Sequence, residues 1–219
     1  MNRKRREQLI LDAAVRVFAR QGYEETSVSE IIDEARVARG TFYLYFKSKK
    51  NIFSALLDRF LTDLSRDIAK IKAAEGPAEF DLAQRVRIQA SDLISTITQN
   101  KLLAKILLLD VHSIDAECHA KLNQFLDEMA EVIRHDIDGN IKRGVFRNAN
   151  SGVTARCLIG SIKEAISNWV IDGSYELEPV IEGLIDTLLF GLAPFPVGLE
   201  KELAEAEQKV PARGFNDLH

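Results

Sequence analysis

Apolar side chains recur at every third or fourth position along most of the 219-residue chain, which is the spacing of amphipathic helices. The chain has only five prolines, so long helices can continue without a break. Clear interruptions occur at residues 75–77 and 193–196. The pattern predicts an all-α protein whose main helices cover approximately residues 5–20, 28–35, 39–43, 49–74, 78–98, 102–111, 116–143, 151–171 and 179–190.

Two short helices joined by a three-residue turn are predicted between residues 27 and 49. Ser27 and Glu30 have the spacing of a capping box, in which each side chain accepts a hydrogen bond from the other residue's backbone. The turn covers residues 36–38, and the second helix is expected at residues 39–43. This layout is typical of a helix-turn-helix unit, whose second helix enters the DNA major groove.

The side chains of this segment are suited to DNA contacts. Arg39 can bind both acceptors of a guanine edge, Gly40 lets the backbone approach closely, and Thr41 offers a hydroxyl and a methyl group. Phe42 and Phe46 are expected in the core, because a five-residue helix is not stable alone. Hydroxyl groups and cations around them can bind phosphate oxygens. The predicted DNA-binding residues are Ser27, Ser29, Arg36, Arg39, Gly40, Thr41, Tyr43, Tyr45 and Lys49.

Residues 27–49, SVSEIIDEARVARGTFYLYFKSK, resemble the defining motif of the TetR family of transcriptional repressors. Three residues depart from that motif. Ile32 replaces a small residue, Arg36 replaces a glycine that ends the first helix in a left-handed conformation, and Ala38 replaces a Ser/Thr cap. The change to Arg36 implies strain of about 1 kcal/mol, and the change to Ala38 loses about 1 kcal/mol of capping. None of the three removes a group expected to touch DNA.

The resemblance implies three parts. These are a three-helix helix-turn-helix head at residues 1–49, a helical ligand-binding and dimerisation domain at 50–198, and a charged C-terminal helix and tail at 199–219. It also implies a homodimer formed through the last two main helices, whose two heads bind a palindromic double-stranded operator. Internal core packing is the alternative explanation of the apolar faces of those two helices. The long helix at 49–74 would connect the ligand pocket to the DNA-binding head.

A small-molecule effector that releases the repressor is expected among the middle helices, as in the family. The predicted lining is apolar, which indicates a hydrophobic or amphipathic ligand such as an acyl chain, an aromatic compound or a drug. Ordinary core packing explains any one of these side chains equally well. The predicted lining residues are Leu103, Leu107, Phe125, Met129, Ile166 and Trp169.

Charge is distributed unevenly along the chain. Residues 1–50 hold eleven Lys or Arg against seven Asp or Glu, while the remainder holds eighteen against twenty-six. The front of the chain is therefore suited to a polyanion and the remainder is not. The first six residues, MNRKRR, are expected to form an arm that contacts phosphates, with Arg5 and Arg6 better placed than Arg3.

The cysteine content and the N-terminus indicate a cytoplasmic protein. Cys118 and Cys157 form no C-x-x-C pair and are too few for a secreted disulfide framework. The N-terminus is too basic for a signal peptide, and the absence of a run of eighteen apolar residues predicts no membrane span.

Catalytic chemistry is not expected, because the chain lacks the motifs of a nucleophile elbow, a phosphate loop or a zinc protease. Tyr43 and Lys47 have the spacing used by short-chain dehydrogenases, but the glycine-rich turn of those enzymes is missing. An all-α enzyme and a ligand-free DNA-binding or scaffolding protein are the alternative hypotheses. No cofactor is expected. A polar group with no standard metal-site spacing, interpreted as a solvated helix junction, consists of Asp110, His112, Asp115, Glu117, Cys118 and His119.

Overall fold

The computed structural model describes residues 3–73, 82–114, 116–173 and 176–192, and within these ranges the chain is helical and contains no strand. The predicted all-α fold is therefore confirmed. The predicted charged C-terminal helix and tail at 199–219 lie outside the described residues. The helices are α1 (Arg3–Gln21), α2 (Val28–Ala35), α3 (Arg39–Tyr43), α4 (Lys49–Ala73), α5 (Leu82–Gln99), α6 (Lys101–Ile114), α7 (Ala116–Lys142), α8 (Ser151–Ser167) and α9 (Leu177–Leu192), with a π-helical turn, Asn168–Asp172, after α8.

Helices α1 and α9 begin two residues before their predicted starts, whereas α8 begins at the predicted Ser151. Helix α1 begins at Arg3, so the basic residues expected in an arm are already helical. Helix α8 is capped by Asn150, whose side chain accepts a hydrogen bond of 3.1 Å from the backbone N–H of Val153. Helix α9 begins at Leu177, two residues before Pro179. A proline in the first turn of a helix breaks no hydrogen bond, because the N–H groups there have no partner within the helix.

Aromatic side chains hold the N-terminal helices together. The ring of Tyr23 lies 5.4 Å from the rings of both Phe18 and Phe53, measured between centroids. Phe18 and Phe53 are fully buried, and so are Ile10 and Ile31. Helices α1, α2 and the start of α4 therefore share one aromatic core, which fixes the short α3 against them.

The buried side chains of the N-terminal helices continue without interruption into the rest of the chain. One hydrophobic cluster includes Ile10 of α1, Leu57 of α4, Leu107 of α6 and Phe125 of α7. Helix α6 packs against α1, and α7 packs against α4. The division of the chain at residues 49 and 50 therefore remains a prediction, since the core itself has no break there.

A second, smaller cluster joins the end of α7 to the end of α9. It contains Ile137, Phe146 and Leu192. Arg147 completes this contact, because its backbone N–H donates to the carbonyl of Leu192 at 3.0 Å and its Nε donates to the carbonyl of Gly191 at 3.1 Å. Among the described helices, none combines the length and the apolar character that a membrane span requires.

Candidate nucleic-acid interface

Helix α2 begins with the predicted capping box. The backbone N–H of Ser27 donates to the Glu30 carboxylate at 2.8 Å, and the backbone N–H of Glu30 donates to the Ser27 hydroxyl at 3.2 Å. Gln21 at the end of α1 also donates to Glu30, at 3.1 Å. The hydrogen bonds from Ser27 lower the pKa of Glu30. The start of α2 is therefore fixed against the end of α1.

The turn between α2 and α3 carries both predicted departures from favourable geometry. Arg36 has φ 52° and ψ 45°, and among the described residues it is the one side-chain-bearing residue with positive φ. The backbone N–H of Val37 donates to the carbonyl of Ile32 at 3.3 Å, which closes the end of α2. Ala38 precedes α3 with an extended backbone and makes no side-chain cap. The left-handed conformation expected at Arg36 and the missing cap at Ala38 are thus confirmed.

Helix α3 presents polar groups on one side and is anchored on the other. Phe42 is fully buried, with its ring 6.3 Å from that of Phe46. Arg39 and Gly40 are exposed, and Tyr43 is 47% exposed. Arg39 and Tyr43 are four residues apart and therefore share a helical face. The buried phenylalanine fixes the orientation in which this face is offered to a ligand.

Two arginines of this region are free to contact DNA. Arg36 and Arg39 are exposed, and the side chain of neither makes a hydrogen bond or ion pair with the described part of the chain. Leu44, directly after α3, is 76% exposed and was missed by the sequence analysis. Its position between two tyrosines was the available signal, because a large apolar side chain beside polar DNA-binding residues can pack against sugars or thymine methyl groups.

Lys49 has structural contacts that the sequence analysis did not assign to it, and Ser27 makes the predicted capping box. The ammonium group of Lys49 donates to the backbone carbonyls of Tyr23 at 2.8 Å and Glu24 at 2.7 Å. The hydroxyl of Ser27 is engaged in the capping box. Ser29 is exposed, whereas Tyr45 packs partly against the core. Phosphate contacts of these residues stay predictions.

The first turn of α1 is entirely basic. Arg3, Lys4, Arg5 and Arg6 are all exposed, and none of their side chains has a hydrogen bond or ion pair with a described residue. The first turn contains no acidic residue. Cations at the N-terminus of a helix are disfavoured by the helix dipole. A bound phosphate would reverse this unfavourable interaction.

The six predicted pocket residues come together in the main hydrophobic cluster. Leu103 and Leu107 of α6 and Phe125 of α7 are buried, and Met129 and Ile166 pack against the same cluster. Trp169 lies in the π-helical turn, and the ammonium group of Lys101 is 4.3 Å from its ring centroid. The structure thus shows these side chains as core neighbours, and their role in binding a ligand stays a prediction.

One surface groove lies elsewhere, between α7 and the start of α8, and is lined by Arg134, Gly152 and Arg156 among others.

The polar group around residues 110–119 forms no metal site among the described residues. The side chains of Asp110, His112 and Asp115 lie outside the described part of the structure. Cys118 is buried in the core, Glu117 pairs with Lys121 at 3.4 Å, and His119 lies 3.2 Å from the amide nitrogen of Asn123.

Comparisons with known proteins match both parts of the chain. Residues 10–56 match the bacterial regulatory proteins of the tetR family, and residues 53–191 match the C-terminal region of YsiA-like proteins. The fatty acid metabolism regulator protein of Bacillus subtilis is 28% identical over 189 residues, which is 84% of this chain and 93% of that protein.

Solved structures share the fold over most of the chain. A TetR-family transcriptional regulator from Syntrophomonas wolfei has a TM-score of 0.68 and 28% identity, covering 90% of this chain and 100% of the other. The regulator FadR from Bacillus subtilis, solved in complex with stearoyl-CoA, has a TM-score of 0.66 and 26% identity, covering 84% of this chain and 98% of the other.

Proposed function

Because the chain belongs to the tetR family of bacterial regulatory proteins and is a DNA-binding transcriptional regulator, we propose that it is a homodimeric repressor of a palindromic operator, released by a long-chain fatty acyl-coenzyme A. The observation that carries the proposal is the exposed face of α3, where Arg39 and Gly40 stand free beside the buried anchor Phe42. The proposed repressor acts in the cytoplasm, where its DNA target lies. It is proposed to have no enzymatic activity.

Base recognition is assigned to the start of α3. Arg39 would bind a guanine edge, and Thr41 would contact a neighbouring base, while Arg36, Tyr43 and Lys47 bind phosphates. Arg39→Ala should cost about 1–3 kcal/mol at its preferred site and relax selectivity at one or two base positions. Lys47→Ala, the control, should weaken binding to all sequences alike. A uniform loss from both substitutions would contradict the role of Arg39.

The dimer is assigned to α8 and α9, as in the sequence-based hypothesis. Gly160 and Gly183 are exposed glycines inside these helices, and a Cβ atom built on either meets no atom within 4 Å apart from the neighbouring backbone of its own helix. A glycine inside a helix costs about 0.5–1 kcal/mol relative to alanine, so a function is expected. Close approach of the same helices from a second copy supplies one.

Leucine substitutions test this dimer. Gly160→Leu and Gly183→Leu should convert the dimer to a single chain in sedimentation experiments, because each adds bulk to the contact. Ala120→Leu adds similar bulk at an exposed position of α7 and should leave the dimer intact. Dimers that persist in both glycine variants would place the interface elsewhere.

The effector is assigned to the apolar cluster of α6, α7 and the π-helical turn. Its side chains suit an acyl chain, and the Bacillus subtilis matches at 28% and 26% identity carry names that refer to fatty acid metabolism or to stearoyl-CoA. Release would be a population shift, in which the ligand binds best to a form whose two heads are too far apart or too close for the operator. Helix α4 would transmit this conformational difference from the ligand site to the head. Recognition helices must lie about 34–36 Å apart to bind adjacent major grooves, so small displacements suffice.

The first experiment is selection on random duplex DNA at two salt concentrations. A palindromic motif with a steep salt dependence would support the dimeric regulator, whereas single half-sites or no enrichment would count against it. Stearoyl-CoA and, as its control, free coenzyme A are then added separately to the protein and to its operator complex. Binding is followed by the fluorescence of Trp169, the only tryptophan in the sequence. Release of the operator by free coenzyme A alone, or by neither compound, would contradict the effector class.

A further inference from the structure

A single lysine of α7 is bonded to two residues of α4. The Nζ atom of Lys121 lies 3.1 Å from the hydroxyl of Ser54, 2.8 Å from the carboxylate of Asp58 and 3.4 Å from that of Glu117 on its own helix. An ammonium group has three donors, so these three acceptors engage all of them. The Lys121 side chain is 30% exposed, the lowest value for a cation among the ion pairs of the described residues.

The α4 side of this contact is rigidly attached to the head. Ser54 and Asp58 are four residues apart and therefore lie on one face of the helix. Their neighbours Phe53 and Leu57 are fully buried, and the ring of Phe53 contacts that of Tyr23 in the head. This part of α4 therefore moves with the head, and a bond to Ser54 or Asp58 is a bond to the head.

The α7 side of the contact belongs to the helices that are assigned to the effector. Cys118 and Phe125, on either side of Lys121 in the sequence, are buried in the same cluster as Leu103 and Leu107 of α6. Lys121, in the second turn of α7, therefore connects these helices to the head directly. This connection does not depend on the part of α4 that follows Asp58.

We infer that Lys121 is a positioning residue that fixes the angle between α7 and the DNA-binding head, and through it the separation of the two recognition helices in the dimer. The inference rests on the proposed dimeric regulator. A three-acceptor contact is directional, so it restrains rotation of the head and not only its distance. Because both heads must match the spacing of two half-sites, this restraint decides which spacings bind.

The experiment measures binding to operators that share the same half-sites but differ in the spacer by one or two base pairs. Lys121→Met keeps the length of the side chain and removes its donors. It should reduce the preference for the best spacer by about threefold or more, while the sequence preference within each half-site stays unchanged. Asp58→Asn should give the same change, and the double variant should lose no more than either single variant.

Arg66→Met is the matched control, since it removes an ion pair of 2.6 Å that lies within α4 and does not reach α7. Its spacer profile should equal that of the wild type. An unchanged profile in both Lys121→Met and Asp58→Asn would overturn the inference. If Lys121→Met does not fold, Asp58→Asn carries the comparison, because the Asp58 side chain is 53% exposed. A wild-type protein that binds no paired half-sites would overturn the proposed function, and the inference with it.

Discussion

The ammonium group of Lys49 lies 4.6 Å from the ring centroid of Tyr23 and donates a hydrogen bond of 2.8 Å to the backbone carbonyl of the same residue. A second hydrogen bond, 2.7 Å long, reaches the carbonyl of Glu24. The first residue of α4 therefore closes the loop between α1 and α2. Interaction of a cation with an aromatic face adds to these charged hydrogen bonds.

Removing this ammonium group should destabilise the head. Lys49→Met leaves two carbonyl acceptors without their charged donor, so the free energy of unfolding should fall by about 1–3 kcal/mol in denaturant titrations. Lys47→Met removes the same charge from an exposed side chain that has no partner among the described residues. It should leave unfolding unchanged and reduce the salt slope of DNA binding by about one. Equal unfolding curves for the two variants would show that Lys49 has no structural role.

Local features of the head were predictable from the sequence, whereas contacts between distant segments were not. The capping box of Ser27 depends on a residue three positions away, so spacing alone identifies it. The left-handed Arg36 was predicted from the glycine that the resembled motif has at this position. The bonds of Lys49 to Tyr23 and of Lys121 to Ser54 join residues 26 and 67 positions apart. They depend on how the helices pack, and the periodicity of one helix contains no information about this.

The predicted pocket shows a second limit of the sequence. Periodicity identified Leu103, Leu107 and Phe125 as inward-facing, and the structure confirms their burial. An apolar residue that packs against core and one that lines a ligand site have the same spacing and the same chemistry. The sequence therefore could not decide between these two roles. The π-helical turn at Asn168–Asp172 was also missed, because an i to i+5 hydrogen bond leaves no compositional signal.

The strain at Arg36 should be measurable. A left-handed conformation costs a side-chain-bearing residue about 1–2 kcal/mol, and part of this is offset when glycine gains freedom in the unfolded chain. Arg36→Gly should therefore raise the free energy of unfolding by about 0.5–1 kcal/mol. Arg36→Ala is the control, because it removes the charge and keeps the strain. A stability gain of the same size in both variants would assign the effect to charge, and not to backbone geometry.

The basic first turn of α1 should lower the stability of the DNA-free protein and raise its affinity for DNA. The double substitution Arg5→Gln and Arg6→Gln removes two cations from the positive end of the helix dipole, an effect of about 0.3–1 kcal/mol per charge at low salt. The DNA-free protein should therefore melt at a higher temperature, while operator affinity and its salt slope fall. Arg20→Gln, at the opposite end of α1, removes a cation paired with Glu34 at 3.7 Å and should lower the melting temperature instead. A lower melting temperature in the double variant would contradict this account.

Asp67 of α4 is buried, with 4% of its surface exposed, and it links α4 to α5. It accepts hydrogen bonds from the hydroxyl of Thr96 at 2.6 Å and from Lys70 at 3.0 Å, and Lys70 also reaches Asp92 of α5 at 2.6 Å. Burial alone would raise the pKa of Asp67, but the hydrogen bonds from Thr96 and Lys70 outweigh it, so the pKa is lowered. The carboxylate is therefore stabilised in its ionised form.

This lowered pKa predicts an acid-dependent loss of stability. A carboxyl group with a lower pKa in the folded state stabilises the protein above its unfolded pKa of about 3.9, and the contribution disappears as the pH falls through the folded value. At pH 7, Asp67→Asn should lower the free energy of unfolding by about 1–3 kcal/mol, because charged hydrogen bonds are lost. Asp92→Asn, at an exposed carboxylate, should cost less. In denaturant titrations the gap between wild type and Asp67→Asn should narrow below about pH 4. A gap of constant size down to pH 3 would mean that packing around Asp67, and not its charge, joins α4 to α5.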